Sequence, residues 1–415
     1  MRSTDKRQHI FALFPRLFSG YILQNRPSMA DMPLSFDDIR PYNDSEIGAV
    51  LKRLLSKPSF FLMMEALFPE ISRDQVVKKI QAIQSIRDFQ ATIISDTLDR
   101  ILENSSQGLT IEGLENLDPN KGYLFLSNHR DIILDSAFLN LRLLSGGFST
   151  SYIGIGDNLM VSTLITDLMK VNKSFIIHRS APRQQLIAYA QRLSNYIYHL
   201  IVEQSESVWL AHRNGRTKDG IDQTQASVIK MLLMTAEGDL RKYLSQLEIV
   251  PVAISYEYEP CDHLKTEEMV HKADNLPYTK DDKMSMLLGI TAPKGRIHLA
   301  IGKSLSQEII DMPFEGRKND WVNELTALVD QHIYSLYHLW PVNYIAYDMV
   351  EEGNTFAAHY SELDKHNFEQ YLDQQVEGIK GDPEKLHQHL LKIYAGPVAT
   401  SSQNKTHPLI GDRQQ

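Results

Sequence analysis

The sequence contains a single cysteine, Cys261, among its 415 residues. An intrachain disulfide is therefore excluded, and such low cysteine usage is typical of proteins from a reducing compartment. No uninterrupted apolar run approaches the roughly 18 residues that a membrane-spanning helix requires, so any contact with a membrane is predicted to be peripheral. The formal net charge of −9 lacks the positive excess of a general nucleic-acid-binding protein, and no nucleic-acid partner is predicted.

Sequence signatures of several enzyme classes are also absent. The chain has no Gly-x-Ser-x-Gly elbow of a serine hydrolase and no Gly-x-Gly-x-x-Gly turn of a dinucleotide-binding fold. Gly302-Lys303-Ser304 resembles only the end of a Walker A loop. The spacing closest to a metal-binding cluster lies in a charged segment that is typical of a solvated surface helix, so no metal site is predicted; its residues are Cys261, His263, Glu267 and His271.

The remaining pattern divides the chain into five segments. Helical spacing of apolar residues flanks a central stretch in which strands and helices alternate, which predicts an α/β fold: a sheet of five or more strands flanked by helices. The predicted segments are an extra N-terminal piece that is not native or is disordered (1–31), a helical N-terminal region starting at Met32 (32–107), the α/β domain (108–310), a helical C-terminal region (311–396) and a disordered tail (397–415).

The most informative stretch is Lys121 to Asn140, which delivers a histidine to the end of a predicted strand. The apolar run before His129 reads as a strand, and the residues after Asp131 read as a helix. Open α/β sheets place their chemistry at this end of the strands. A histidine titrates near neutral pH, and a carboxylate from Asp131 or Asp135 would orient it as a general base. The alternative is structural, with Asp131 capping the helix beside a non-catalytic histidine.

Basic residues are concentrated in the second half of this domain. Between Ile176 and Lys218 the chain has six Arg and Lys against two acids. Arg179 and the loop from Arg213 to Lys218 both follow predicted strands, so they are expected at the same sheet edge as His129. Guanidinium groups beside a glycine turn suit phosphate binding, and the alternative is a solvated basic face. The candidate phosphate ligands are Arg130, Arg179, Arg213, Gly215, Arg216 and Lys218.

Four short blocks in this domain resemble, in order, those of the glycerolipid acyltransferase family, the glycerol-3-phosphate and 1-acylglycerol-3-phosphate acyltransferases. The histidine and aspartate of Asn128 to Asp135 resemble the first block, and the apolar strand ending in Arg179 is similar to the second. The third block, usually Glu-Gly-x-Arg, resembles Arg213-Asn214-Gly215-Arg216-Thr217, and the fourth resembles the proline-containing strand from Ile249 to Ile254.

The resemblance implies transfer of a fatty acyl group from acyl-CoA or acyl carrier protein to a hydroxyl of glycerol-3-phosphate or a lysophospholipid. In that case His129, oriented by Asp135, is the general base, and Arg179 and Arg216 hold the acceptor's phosphate. Arg130, Arg213 and Lys218 are secondary candidates. No cofactor is implied beyond the acyl-donor co-substrate, and the expected location is the cytoplasm, peripheral to the inner face of the membrane.

Two departures from the family pattern bear on this expectation. The family's aspartate lies five positions after its histidine, where this chain has Leu134, and Asp135 comes one residue later. We expect the turn after His129 to absorb the extra residue, with Asp131 as helix cap and Asp135 as the histidine's partner. Asn214 replaces the usual glutamate of the third block. It leaves open a second function, an impaired family member that binds lipid or serves as a scaffold.

Overall fold

A seven-stranded sheet forms the centre of the molecule, as the computed structural model describes it for residues 35–179, 182–279, 281–313 and 317–406. The strand order is β1-β7-β6-β2-β5-β3-β4, and neighbouring strands are parallel except for the antiparallel pair of β6 and β7. The strands are β1 (Leu109–Glu112), β2 (Leu124–Ser127), β3 (Tyr152–Gly156), β4 (Ser174–Ile177), β5 (Val208–Ala211), β6 (Ile249–Tyr256) and β7 (Ile297–Ile301). The predicted α/β class is confirmed. The predicted extra segment, 1–31, lies outside the described residues.

From residue 35, where the described part of the chain starts, five helices precede the sheet: α1 (Asp44–Leu55), α2 (Pro58–Leu67), α3 (Arg73–Gln81), α4 (Ile86–Phe89) and α5 (Ser95–Ser105). A π-helical turn, Gln90–Ile94, joins the last two. A capping box starts α3, because Ser72 and Gln75 each accept a hydrogen bond from the other's backbone N–H. These helices share a core that includes Leu54, Phe60 and Phe89 and that extends to Val171 in the sheet domain.

Helices cover both faces of the sheet, as a mostly parallel sheet requires. In β2, Leu124 and Leu126 point into one core while Phe125 points into the other. Alternate side chains of the strand are therefore buried on opposite faces of the sheet. The helices of this domain are α6 (Leu134–Ser145), α7 (Thr163–Val171), α8 (Arg183–Tyr198), α9 (Ala226–Leu232), α10 (Leu240–Ser245), α11 (Asp262–Ala273), α12 (Asp282–Thr291) and α13 (Ser306–Asp311).

The prediction that the charged segment around α11 forms a solvated surface helix is wrong. Lys265, Glu268 and His271 on this helix are buried. Their charges are matched locally, since Lys265 pairs with Glu259 at 2.5 Å and Glu268 pairs with Lys218. Charged residues can be buried when they are paired and hydrogen-bonded, and composition alone did not reveal those partners.

Between residues 317 and 406, the C-terminal range that the structure describes, lie four helices: α14 (Lys318–Ser335), α15 (Pro341–Val350), α16 (Glu362–Val376) and α17 (Pro383–Thr406). The tail predicted to be disordered from residue 397 is instead helical to Thr406, and 407–415 lie outside the described residues. Val398 is buried, and a side chain on Gly396 would collide with the backbone of Gly220, so tertiary packing holds this end of α17. Within the described ranges, none of the helices is both long enough and apolar enough to span a bilayer.

Candidate active site

The loop that carries His129 is fastened to the neighbouring strands. Asn128 is fully buried, its side-chain oxygen accepts from the N–H of Ile254 at 2.9 Å, and its amide donates to the carbonyl of Ile254 at 3.0 Å. On the other side, the backbone N–H of Thr217 donates to the carbonyl of His129 at 2.9 Å. These bonds fix the chain where it leaves β2, so the histidine's backbone is held from β6 and from the loop after β5.

His129 contacts a buried carboxylate through one ring nitrogen. Its Nδ1 lies 2.9 Å from Oδ2 of Asp135, which is 2% exposed and belongs to the first turn of α6. The same oxygen accepts from the backbone N–H groups of Arg130 and Asp131 at 2.7 and 2.9 Å. Because a carboxylate accepts, Nδ1 is assigned as the protonated nitrogen and Nε2 carries the free lone pair. The neutral imidazole is thus arranged to take a proton at Nε2.

Asp131 has a different task from Asp135. Its Oδ1 accepts from the backbone N–H groups of Ile133 and Leu134, both at 2.8 Å, and so caps the start of α6. Its Oδ2 is buried and has no hydrogen-bond partner among the described residues. Burial raises the pKa of Asp131, and the nearby charge of Asp135 adds to the rise. The expected division, with Asp131 as cap and Asp135 as the histidine's partner, matches these contacts.

A cleft opens beside His129. It lies where β3 and β5 diverge, since their pairing extends only to Ile153 and Trp209. The ring of Trp209 stands edge-on to that of His129, with 5.7 Å between the ring centroids. Most of the wall is apolar; its aliphatic lining includes Ile39, Ile132, Ile155, Ile176, Leu186, Leu193, Leu210 and Met231. A long apolar group fits such a wall better than a small polar metabolite does.

Two of the predicted phosphate ligands line this cleft. Arg179 follows β4, and its aliphatic portion crosses Gly156, where a β carbon would lie 3.2 Å from the arginine Cδ. Burial lowers the pKa of Arg179, and the carboxylates of Asp157 and Asp282 oppose that change. Arg213 donates from Nη1 to the carbonyl of Ile221 at 3.0 Å. Both arginines thus line the cleft that His129 also lines.

The other predicted ligands do not line the cleft. Arg216 is buried beside Asp131 and Cys261, and its Nη1 has no hydrogen-bond partner among the described residues. Lys218 forms an ion pair with Glu268. Gly215 adopts φ of +75°, which serves the tight turn of the loop. The six candidates predicted for one phosphate site are thus divided, and Arg216 does not share the cavity with Arg179.

Arg130 belongs to a buried network rather than to the cleft. Its guanidinium pairs with Asp222 at 2.6 Å and with Glu259 at 3.3 Å. Burial opposes ionisation of Asp222, but Arg130 and hydrogen bonds from Thr217 and Tyr337 outweigh it and lower the pKa of Asp222 to about 2. The network joins the His129 loop to the loop after β5 and to the end of α14. The prediction that Arg130 binds phosphate is therefore wrong. Its guanidinium instead holds these segments together.

Two side chains near the histidine were missed by sequence reasoning. Tyr256, the last residue of β6, donates its hydroxyl to Oδ1 of Asp135 at 3.0 Å. Trp209 was recognised only as part of a strand. The fourth block could have pointed to Tyr256, because this tyrosine lies two residues beyond the block on the same strand. Its closeness to Asp135, 121 positions away, follows only from the pairing of β6 with β2.

Comparison with known proteins adds little beyond this geometry. No family model matches the sequence, and no curated protein matches it. Among solved structures, the chain is similar to the 1-acyl-sn-glycerophosphate (LPA) acyltransferase PlsC from Thermotoga maritima, at 12% identity and a TM-score of 0.34. That similarity covers 69% of this chain and 97% of the other. Because both values are low, any functional argument for this chain rests on its own side chains.

Proposed function

We propose that this protein is an O-acyltransferase that moves a fatty acyl group from a thioester donor to a hydroxyl of glycerol-3-phosphate or a lysophospholipid. The observation that carries the proposal is the hydrogen bond from His129 Nδ1 to the buried carboxylate of Asp135, at a cleft that is apolar along its wall and cationic at Arg179. A general base, an apolar groove and a phosphate-binding cation are the three elements that such a reaction needs.

The proposed reaction begins at Nε2 of His129, which takes the proton of the acceptor hydroxyl as its oxygen attacks the thioester carbonyl. Asp135 stabilises the imidazolium that forms and keeps the ring in the required tautomer. The tetrahedral intermediate then expels the thiolate, the carbon–sulfur bond breaks, and the imidazolium returns the proton to the sulfur. The products are an ester and a free thiol. Well-placed general-base catalysis typically contributes about 10²- to 10⁴-fold.

Positioning of the acceptor is assigned to the cations of the cleft. Arg179 and Arg213 would bind the acceptor's phosphate, because a guanidinium fork matches phosphate oxygens. Holding the phosphate in place brings the hydroxyl near Nε2 and converts binding energy into rate. The acyl chain would lie along the aliphatic wall. The donor is acyl-CoA or acyl carrier protein, and the proposed site of action is the cytoplasmic face of a membrane, which the protein would touch peripherally.

A second candidate function is supported by Asn214, which lines the cleft where the resembling family usually has glutamate. Its backbone N–H donates to the side chain of Gln225 at 2.9 Å, so the loop is braced without a carboxylate. A family member that binds lipid in the cleft without turnover would retain the wall and the cations. In that case, ligand binding would survive and acyl transfer would not occur.

The two functions are separated by incubating purified protein with radiolabelled acyl-CoA, or acyl carrier protein, and a panel of acceptors. The panel contains glycerol-3-phosphate, 1-acylglycerol-3-phosphate and their unphosphorylated counterparts. Sustained acylation over many turnovers, restricted to phosphorylated acceptors, is expected of the proposed enzyme. Binding of acyl-CoA without any acylated product, across the whole panel and with both donors, would support the non-catalytic alternative instead.

A further inference from the structure

The carboxylate of Asp135 has a partner that the general-base mechanism does not use. Oδ2 receives His129 Nδ1 and two backbone N–H groups, whereas Oδ1 receives the hydroxyl of Tyr256 at 3.0 Å. Within the described part of the chain, Tyr256 is the one hydrogen-bond donor to Oδ1. The tyrosine and the histidine therefore hold opposite oxygens of one carboxylate.

Burial makes this contact difficult to replace. Asp135 is 2% exposed and Tyr256 is 5% exposed, so bulk water does not reach the bond between them. Burial raises the pKa of Tyr256 well above its usual value, and the negative charges of Asp135 and Asp131 raise it further. The hydroxyl consequently remains protonated at every pH at which the protein is expected to work, and it acts only as a donor to Oδ1.

We infer that Tyr256 is a positioning residue: by donating to Oδ1 it fixes the carboxylate of Asp135, directs Oδ2 to His129 Nδ1 and moderates how strongly the imidazolium is stabilised. This inference rests on the proposed acyltransferase function for its catalytic consequence. The geometry is independent of that function, because the contacts from Tyr256 to Asp135 and from Asp135 to His129 are present whatever the substrate is.

Other charged groups also influence Tyr256 and His129, and an experiment on Tyr256 must distinguish their effects from that of its hydroxyl. Asp131 and Glu259 influence Tyr256 electrostatically, and His212, which is fully buried behind the loop, interacts with His129. None of them donates to Oδ1 of Asp135 among the described contacts. A change confined to the tyrosine hydroxyl therefore alters the carboxylate first and the histidine through it.

The first test replaces the hydroxyl alone, with Tyr256→Phe, and measures acyl transfer across pH. We expect kcat to fall about tenfold, which corresponds to about 1.4 kcal/mol, with KM for both substrates changed by less than about twofold. We also expect the acid limb of the kcat/KM profile to move to higher pH, because an Asp135 carboxylate without this donor stabilises the imidazolium more strongly. A purely structural tyrosine would lower folding stability without moving the pH profile.

Tyr371→Phe is the matched control. Tyr371 likewise donates its hydroxyl to a buried carboxylate, Asp262, at 2.7 Å, but it lies on α16 in the C-terminal region. Tyr371→Phe should lower folding stability but should retain the pH profile of acyl transfer that the wild type shows. An equal shift in both variants, or an unchanged kcat and profile in Tyr256→Phe, would overturn the inference.

A second readout does not depend on catalysis. The chemical shifts of the His129 ring protons are followed by NMR as a function of pH in the wild type and the variants. Their signals are assigned by their loss in His129→Asn. The titration midpoint should move to higher pH in Tyr256→Phe and to lower pH when a fluorinated tyrosine, a stronger donor, is placed at position 256. An unmoved midpoint in both proteins contradicts the inference. If wild type transfers no acyl group, the proposed function fails, while this titration still decides the role of Tyr256.

Discussion

Nδ1 of His129 and Oδ2 of Asp135 are 2.9 Å apart although the two residues are separated by six positions. The resembling acyltransferase family places its aspartate five positions after the histidine. Here the additional residue is accommodated in the turn before α6, where Asp131 binds the first N–H groups of the helix. The longer spacing therefore still allows contact between the histidine and the aspartate.

The two aspartates are predicted to differ sharply on mutation. Asp135→Asn removes the charge that stabilises the imidazolium and favours the wrong tautomer, so kcat/KM should fall about 10³- to 10⁴-fold. In Asp131→Asn the side-chain oxygen can still cap α6, and activity should stay within about fivefold of wild type. Steady-state acylation rates, with circular dichroism to check folding, distinguish them. Loss of activity in the Asp131 variant alone would reverse the assignment.

Arg179 is predicted to recognise the acceptor's phosphate. Arg179→Met should raise KM for the phosphorylated acceptor about 10- to 100-fold, because a charge-assisted contact is lost, and should leave KM for the acyl donor nearly unchanged. The matched control is Lys218→Met, which removes a cation that pairs with Glu268 outside the cleft. Equal effects on both substrates, or a larger effect from Lys218→Met, would count against a phosphate site at Arg179.

Arg130 is predicted to matter for stability because its removal leaves Asp222 buried without its main counter-charge. Breaking a buried ion pair in this way typically costs about 3–5 kcal/mol in the free energy of unfolding, and Arg130→Met should show a loss of that size in urea titrations. The exposed pair of Arg241 and Asp239 supplies the control. Arg241→Met should change stability far less than Arg130→Met does, because solvent screens this pair. Similar losses in the two variants would show that the buried network is not what stabilises this region.

His212 is predicted to make the fold sensitive to mild acid. Burial lowers its pKa to about 4, whereas the unfolded chain has a value of about 6.5. The unfolded state therefore binds the proton first, and stability is lost as pH falls from about 6.5 to about 4, by about 3 kcal/mol in total. Nearby Asp330 acts in the opposite direction, because burial raises its pKa to about 6 and its neutral form favours the fold as pH falls.

The effect of His212 is therefore measured as a difference between proteins. The free energy of unfolding of wild type, minus that of His212→Gln, should decrease steadily from pH 7 to pH 4. Because Asp330 lies 3.9 Å from His212, the comparison is also made in an Asp330→Asn background, where that carboxylate cannot titrate. Parallel pH dependences in wild type and variant would mean that His212 does not titrate over this interval.

The local parts of the site were predictable from sequence because their determinants are close together in the chain. The strand before His129 and the helix after it follow from apolar spacing, and Asp131 and Asp135 lie within one loop and one helical turn. The capping box at Ser72 and Gln75 was likewise recognisable from four consecutive residues. Such patterns depend on backbone geometry and helical period, which a sequence displays directly.

The remaining features depend on partners far along the chain. Arg130 was assigned to a phosphate because Asp222 and Glu259, 92 and 129 positions away, could not be placed beside it without the sheet order. For the same reason Arg216 was grouped with Arg179 in one phosphate site, since both follow strands, although only Arg179 lines the cleft. The helical end of α17 was missed because its polar composition resembles a tail, whereas its burial depends on contact with the loop at Gly220.

The most direct test compares wild type with His129→Ala in an acyl-transfer assay containing a labelled thioester donor and a phosphorylated glycerol acceptor. His129 is only partly buried and its ring is not part of the main cores, so the thermal midpoint should change little while turnover falls by about 10²- to 10⁴-fold. Sustained turnover by wild type with that loss in the variant is the predicted result. Acceptor acylation by His129→Ala at the wild-type rate would contradict the general-base mechanism.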